Sequence, residues 1–392
     1  MTRRRFVDAS ERRDRLAVRH RHVPAARVDD PVAITESLLA LHSTDPVTVY
    51  LSVAARMAHP SLAAVDTALY EQRSLLRHHA MRRTLWIFGH DAARVAHHGA
   101  TLGVARSERK RLLGWLADAG VADPDPWLKA AGADVTALLA DAGPLTAREI
   151  GTRLPGLTMP ITIGNGKFTA TQAAHSRILL QLGFEGQIVR TRPTGTWING
   201  QYRYAAVDTW FPGGFGELDV REAAAGLARR WLAAFGPGTR TDLQWWAGWT
   251  VATTTKALAD VGAVEVEVEE GTGYVLPDDV DAPEPAPPSA ALLPGLDPST
   301  MGWKQRGFHL DPADVAVLFD RNGNGGPTAW VDGRIVGGWH HRRDGRVAMH
   351  LTRDVGAEAR AALTERASMI EQLLGDVRFT VRYPSPLLAT LA

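Results

Sequence analysis

The sequence predicts an α+β protein in which a unit of two helices and a β-hairpin recurs ahead of a strand-rich C-terminal region. Three observations carry this. A capping box stands at Thr146 and Glu149 in GPLTAREIGTRL (143–154), where each side chain can satisfy an orphan amide of the first helical turn. Strict alternation in VEVEVEE (264–270), followed by GTG and YVL, reads as a hairpin. The acidic, proline-rich stretch DAPEPAPPSA (281–290) reads as a stiff linker between a longer N-terminal and a shorter C-terminal region.

Composition sets the limits. A chain of 392 residues holds two to four domains at roughly 100–200 residues each. The absence of cysteine excludes a disulfide scaffold, a thiol nucleophile, a Cys-ligated zinc site and an iron–sulfur cluster. Its 44 basic residues are 39 arginines and 5 lysines, and Arg is the side chain suited to bidentate phosphate contacts. A net charge of +1 conceals segregation: residues 1–22 carry eight arginines against three acids. Basic clusters follow at 77–83, 106–111 and 340–346, while acid gathers at Glu265–Glu270 and Asp278–Glu284. This pattern is compatible with one basic face. The arginine-rich start has no apolar core after it, and no apolar run approaches the roughly 20 residues of a membrane span. A soluble, cytoplasmic protein is expected.

Taken in order, AITESLLALHS (33–43) is periodic enough for a helix, and Asp45–Pro46 supplies the N-cap and first-turn proline of the next. Residues 74–88 read as a helix end passing into a strand. In the second unit the helix after the capping box is TATQAAHSRILLQLGF (169–184), stopped by Gly183, and 186–207 forms two strands around Pro193–Gly195. The third unit starts at a capping box of Thr241 and Gln244, continues with a helix at 253–262, and ends in the alternating hairpin. Helix, helix and β-wing is the winged form of the helix-turn-helix, a fold that commonly grips duplex DNA. The predicted boundaries are 1–130, 131–215 and 216–280 for three such units, 281–291 for the linker, and 292–392 for the C-terminal domain. There, Asp332–Gly333 and Asp344–Gly345 mark hairpin turns, 357–374 is an amphipathic helix, and VRFTV (377–381) is a closing strand. A barrel-like β domain with one helix follows.

Standard catalytic signatures are absent. GNGKFT (164–169) lacks the first glycine of a phosphate loop, and GTGYVL (271–276) lacks the third glycine of a dinucleotide fingerprint. The adjacent pairs His78–His79, His97–His98 and His340–His341 diverge on any regular backbone, so no metal and no cofactor is expected. Tryptophans, including the pair Trp245–Trp246, read mainly as core. One stretch stands out. In LHSTDP (41–46), His42 and Thr44 can converge on one point if the backbone is locally extended, with His42 as a base and Thr44 holding a water.

These residues carry a resemblance. LLALHSTDP (38–46), MRRTLWIF (81–88), GPLTAREI (143–150), DLQWWAGW (242–249), LLPGLDPSTMGWKQR (292–306) and RNGNGGPTAWVDGRIVGGW (321–339) occur in an order that resembles the bacterial winged-helix-repeat DNA glycosylases of the AlkZ/YcaQ type. The resemblance implies three tandem winged-helix units in a concave DNA cradle, followed by a C-terminal β-barrel. It also implies a monofunctional hydrolase of N-glycosidic bonds to alkylated or bulky-adduct purines, acting as a monomer on double-stranded DNA. The family motif is Gln-x-Gln or Gln-x-Asp before an Asp-Pro; here His42-Ser43-Thr44 stands in that place. By position His42 and Thr44 are then the catalytic pair, with an acid limb expected near the ordinary histidine pKa. Arg82, Arg83, Arg306, Arg321 and Asn322 are the implied DNA contacts, and the glycine-rich 321–327 loop the implied flexible probe. Two other readings share the scaffold: a catalytically silent DNA-binding protein, and a genotoxin-sequestering resistance protein.

Overall fold

The computed structural model describes residues 4–165 and 168–391. Three times the chain runs helix, short strand, helix, helix, hairpin. The first pass uses helices Pro31–Ser37, Pro46–Ala54 and Leu62–Tyr70 with strands Leu41–His42, Leu75–His79 and Leu85–Gly89. The second uses helices Pro124–Ala142, Ala147–Arg153 and Ala174–Phe184 with strands Leu145–Thr146, Ile188–Pro193 and Tyr202–Ala206. The third uses helices Val220–Phe235, Arg240–Ala247 and Val251–Asp260 with strands Gly238–Thr239, Val264–Val268 and Gly271–Val275. In every pass the short strand pairs antiparallel with the second strand of the hairpin. The period lies in topology.

Several local expectations hold. Thr146 and Glu149 make the reciprocal capping box. The alternating hairpin pairs Val264 with Val275 and Val266 with Gly273, burying Val266, Val268 and Val275. Asp332 and Gly333 adopt φ of 47° and 71°, the left-handed pair that a two-residue hairpin turn requires. The C-terminal helix spans Gly356–Leu374.

Others need correction. The helix expected through His42 ends at Ser37, and Leu39 turns the chain at a φ of 63° so that Leu41–His42 joins a sheet. Residues 75–79 are a strand; all five side chains are buried, so no alternation marked it. The third capping box is Thr239 with Asp242, two residues earlier than expected, because Gly238–Thr239 must reach the sheet first. Residues 168–173 pair with 160–165 in an extra hairpin, and the helix begins only at Ala174. Gly166 and Lys167 of the GNGKFT stretch lie outside the described residues.

The C-terminal part is not a closed barrel. Ala290–Leu293, Thr328–Val331, Arg334–His341 and Val347–Leu351 form an open four-stranded antiparallel sheet in sequence order. Residues 377–381 form no strand and leave it open. The segregated charge also resolves differently. Arg12 bonds Glu270 at 2.6 Å, Arg15 bonds Asp279 at 2.6 Å and Glu11 at 2.7 Å, and Arg4 pairs with Glu265. The basic arm thus meets the acidic third hairpin and the residues after it, and is largely spent inside the fold.

The largest apolar cluster joins Leu16 of the N-terminal helix, Trp86 and Phe88 of the first hairpin, Trp231, Phe235 and Trp246 of the third repeat, and Trp303 and Trp330 beyond the linker. Each fully buried side chain of this size adds about 1.5–3 kcal/mol over its exposed state. The proline-rich stretch therefore connects parts that share one core. Among the described residues no helix is long and apolar enough to cross a membrane.

Candidate active site

His42-Ser43-Thr44 lies where the short first strand runs into the helix Pro46–Ala54. The strand ends at His42 and Thr44 lies in the bend that leads to the helix; the His42 ring turns to Trp86, whereas the Ser43 hydroxyl turns to Arg77. Across the sheet His42 pairs with Trp86, their rings 4.9 Å apart, and the Ser43 amide donates to Leu85 O at 2.8 Å. The Thr44 amide donates to His42 Nδ1 at 3.4 Å. Nδ1 is thereby assigned as the acceptor, which leaves the ring proton on Nε2. Thr44 Oγ1 is buried and has no hydrogen-bond partner among the described residues.

Asp45 caps the helix by accepting from the Val47 amide at 3.1 Å. Its other oxygen accepts from the Arg382 amide at 3.2 Å, and Arg382 Nη1 donates to Thr44 O at 3.1 Å. The C-terminal segment expected to close a barrel instead crosses the motif. Burial raises the Asp45 carboxyl pKa, against the bonds from Arg382 and Val47.

The charge state of His42 follows from its surroundings. The ring is 6% exposed, and burial, reinforced by the Arg82 guanidinium, pushes its pKa down to about 3. The acid limb expected near the ordinary histidine value is therefore displaced. His42 is neutral from pH 5 to 8 because burial makes its cation costly.

On the same side Arg82, held at a φ of 55°, lies 4.2 Å from the Trp245 ring. Arg306 approaches that ring at 5.2 Å and the Phe319 ring at 5.0 Å. Among the described residues neither arginine forms a salt bridge, and Arg82 Nε is buried without a hydrogen-bond partner. Burial lowers both pKa values to about 10, and the charge of Arg82 adds to the effect at Arg306. Two desolvated cations thus share one indole beside the motif.

The other implied contacts are more dispersed. Arg83 is exposed and reaches Glu108 at 3.3 Å. Arg321 and Asn322 are exposed on the loop that begins after Phe319. That loop is tied rather than loose: Asp320 Oδ1 accepts from the amides of Asn322 and Asn324 at 2.8 and 2.9 Å, and Oδ2 accepts from Asn324 Nδ2 at 2.8 Å. Glycine content alone had implied flexibility; the aspartate before it supplies the restraint. Behind the motif, Arg77 donates from Nε to Ser43 Oγ at 3.0 Å.

Sequence reasoning missed Arg77, Trp245 and Arg382. The Trp245–Trp246 pair was a signal for the second of these, since adjacent helical residues cannot both face the core; Trp246 is buried and Trp245 is half-exposed. Among the described residues no group of three or more His, Cys, Asp or Glu is placed to hold a metal ion.

Comparison with known proteins gives three findings. The sequence model of the family described as "DNA glycosylase AlkZ-like" matches residues 35–372. No curated protein sequence is significantly similar. A solved structure of Streptomyces sahachiroi DNA glycosylase AlkZ is similar with a TM-score of 0.73 and 21% identity, over 95% of this chain and 98% of that one. The likeness shows that the two share a fold, and the family match includes the His42–Thr44 position and the stacked arginines. On that match, the chain belongs to the AlkZ-like DNA glycosylase family.

Proposed function

We propose that the protein is a monofunctional DNA glycosylase that hydrolyses the N-glycosidic bond of alkylated purines of the N7-alkylguanine type. The observation that supports this best is the adjacency of two neutral polar side chains at the motif, His42, whose Nδ1 accepts from the Thr44 amide, and Thr44, whose Oγ1 is buried and unpartnered among the described residues. An N7-alkylguanine already carries positive charge and leaves without strong acid help. The site must then stabilise a sugar oxocarbenium ion and place a water. Thr44 Oγ1 has a free lone pair to accept a hydrogen bond from that water, which gives its proton to solvent once it has added to the sugar carbon. Neutral His42 adds a hydrogen bond without placing a repelling cation beside the oxocarbenium ion. With Nδ1 engaged by the Thr44 amide, His42 acts through Nε2–H as an orienting donor rather than as a base of ordinary pKa.

The same reading takes the three repeated passes as winged-helix modules, with units at about residues 1–130, 131–215 and 216–280, set as a cradle for duplex DNA. Arg82, Arg306, Arg321 and Asn322 are proposed to hold the backbone around the lesion, with Arg83 at the rim. The enzyme is taken to be a cytoplasmic monomer without a cofactor.

The deciding experiment incubates the protein with duplexes carrying 7-methylguanine or bulkier N7 adducts and measures abasic sites. His42→Ala and Thr44→Ala are each expected to lower kcat by about 10²-fold. Wild-type base release should be flat in pH across about 5.5–8, since the His42 pKa lies near 3. Duplex binding with no base released from any adduct would sink the enzyme and favour the silent DNA-binding reading. Tight binding of a free genotoxin without DNA would favour the resistance reading.

Binding supplies an independent check. Arg82→Ala and Arg306→Ala are each expected to weaken duplex affinity and to reduce the slope of log K against log salt by about 1. Trp245→Ala should cause a similar loss of affinity without the full change in slope, because it removes the stacking surface and leaves both charges. Unchanged slopes in both arginine variants would remove them from the interface.

A further inference from the structure

We propose that Arg77 is a positioning residue for the active site, holding His42 and Thr44 in register from behind through Ser43. The inference rests on the glycosylase reading of His42 and Thr44.

Arg77 lies on the first hairpin strand, Leu75–His79, and is 2% exposed. Its Nε donates to Ser43 Oγ at 3.0 Å and its Nη1 to Tyr70 Oη at 2.8 Å. The guanidinium carbon sits 4.3 Å from the ring centre of Tyr202, in the hairpin of the second repeat. Nη1 also points to Thr191 O, at 3.5 Å, on the neighbouring strand of that hairpin. One side chain therefore joins the middle of the motif, the first hairpin and the second repeat.

The arrangement is costly as packing alone. Among the described residues no carboxylate lies within ion-pair distance of Arg77, and its Nη2 is buried without a partner. A buried cation met only by neutral acceptors and ring faces, with no opposite charge, keeps much of its desolvation penalty. A methionine would fill much the same space without that penalty. What it could not do is donate to Ser43.

That bond matters because Ser43 lies between His42 and Thr44. Its hydroxyl turns to Arg77 while the His42 ring turns to Trp86, so a hold on Ser43 constrains the backbone that carries both without touching substrate. The Ser43 amide, bonded to Leu85 O, fixes the chain's height on the sheet. The side-chain bond to Arg77 fixes its rotation. A misplacement of about 1 Å at such a point can cost 10²-fold in rate.

The test compares wild type with Ser43→Ala, Arg77→Met and Arg77→Lys, using a 7-methylguanine duplex. Ser43→Ala and Arg77→Met are expected to lower kcat by about 10- to 100-fold while KM and duplex affinity stay within about twofold. Arg77→Lys should recover part of the loss by restoring one donor. The Arg77→Met melting temperature should stay level or rise, a separation of rate from stability that a purely structural role would not produce. Unchanged kcat in Ser43→Ala and Arg77→Met, or loss only in proportion to the unfolded fraction, would overturn the proposal. Should Arg77→Met fail to fold, Ser43→Ala decides. Should wild type release no base, the glycosylase reading fails on its own. Positioning is then read from the His42 Hε1 resonance: a shift in Ser43→Ala supports it and an unmoved signal refutes it.

Discussion

Asp297→Ala is expected to lower the unfolding free energy by about 3–5 kcal/mol, the largest effect of any single substitution considered for this protein. Asp297 and Arg56 form an ion pair at 2.7 Å in which both side chains are completely buried. Asp297 Oδ2 also accepts from Ser52 Oγ at 2.6 Å, and Arg56 donates to His20 O, Ser52 O and Ser299 Oγ at 2.7–2.9 Å. Removing the carboxylate leaves a guanidinium in the core with nothing to neutralise it. The pair joins the N-terminal arm, the end of the helix that begins at the motif, and the LDPST stretch beyond the linker. Along that helix Thr48 Oγ1 also bonds Gly295 O at 2.6 Å. The effect should therefore reach the active site as well as the fold. Chemical denaturation would measure it, with Asp260→Asn as a control. Asp260 meets Arg221 on the surface, and its loss should leave the midpoint close to wild type. A denaturation midpoint for Asp297→Ala equal to wild type would show that the pair contributes nothing net.

Acid should unfold the protein well above the range in which carboxylates titrate. His20, His22, His42, His78, His79, His97 and His309 are all buried, and burial is the first cause that lowers the pKa of each. Neighbouring arginines add to this at His20, His22 and His309, as His97 does at His78. For His20 and His42 the value falls to about 3, and for His97 to about 4.

The folded value lies below the unfolded value of about 6.5, so the unfolded chain binds more protons throughout that interval. Stability is complete above pH 6.5 and drains away as pH falls toward the folded values. At pH 5 each of His20, His42 and His97 removes about 2 kcal/mol, and the other four act in the same direction. Several acting together match a total stability of about 5–15 kcal/mol. Melting temperature should fall steeply between pH 6.5 and 5, with cooperative unfolding near pH 5. A melting temperature constant down to pH 4.5 would refute this. His309→Phe offers a single-site check. Its ring sits against Trp303, Phe308 and Trp330, and both its nitrogens are unpartnered among the described residues. The variant should fold at pH 7.5 and lose less stability than wild type as pH falls from 6.5 to 5.

This acid sensitivity also bears on enzymology. A decline in base release below about pH 5.5 would come from unfolding, so it should track circular dichroism rather than a single active-site ionisation. The two are separated by measuring both on the same samples.

What could be read from residues alone was whatever short-range chemistry imposes. The Thr146–Glu149 box, the Val264–Val268 alternation, the two Asp-Gly turns and the Gly356–Leu374 helix each depend on neighbours within a few positions, and each appears where expected. The order of short motifs carried the family. The expectation that His42 and Thr44 meet on an extended backbone depended on a strand that in fact ends at His42, with Thr44 in the bend that follows.

Tertiary structure decided the rest, because burial and partnership come from distant parts of the chain. Residues 75–79 are sandwiched on both faces, which erases the pattern that would mark a strand. The charge of the arm was visible, but not that the acidic third hairpin and the segment after it would neutralise it. Residues 377–381 looked like a strand by composition, yet their neighbour Arg382 is committed to Asp45 and Thr44, more than 330 positions away. His42 shows the division most clearly. Sequence placed an imidazole at the motif; only the fold, by removing water and setting Arg82 beside it, made that imidazole neutral at every pH at which the protein is expected to stay folded.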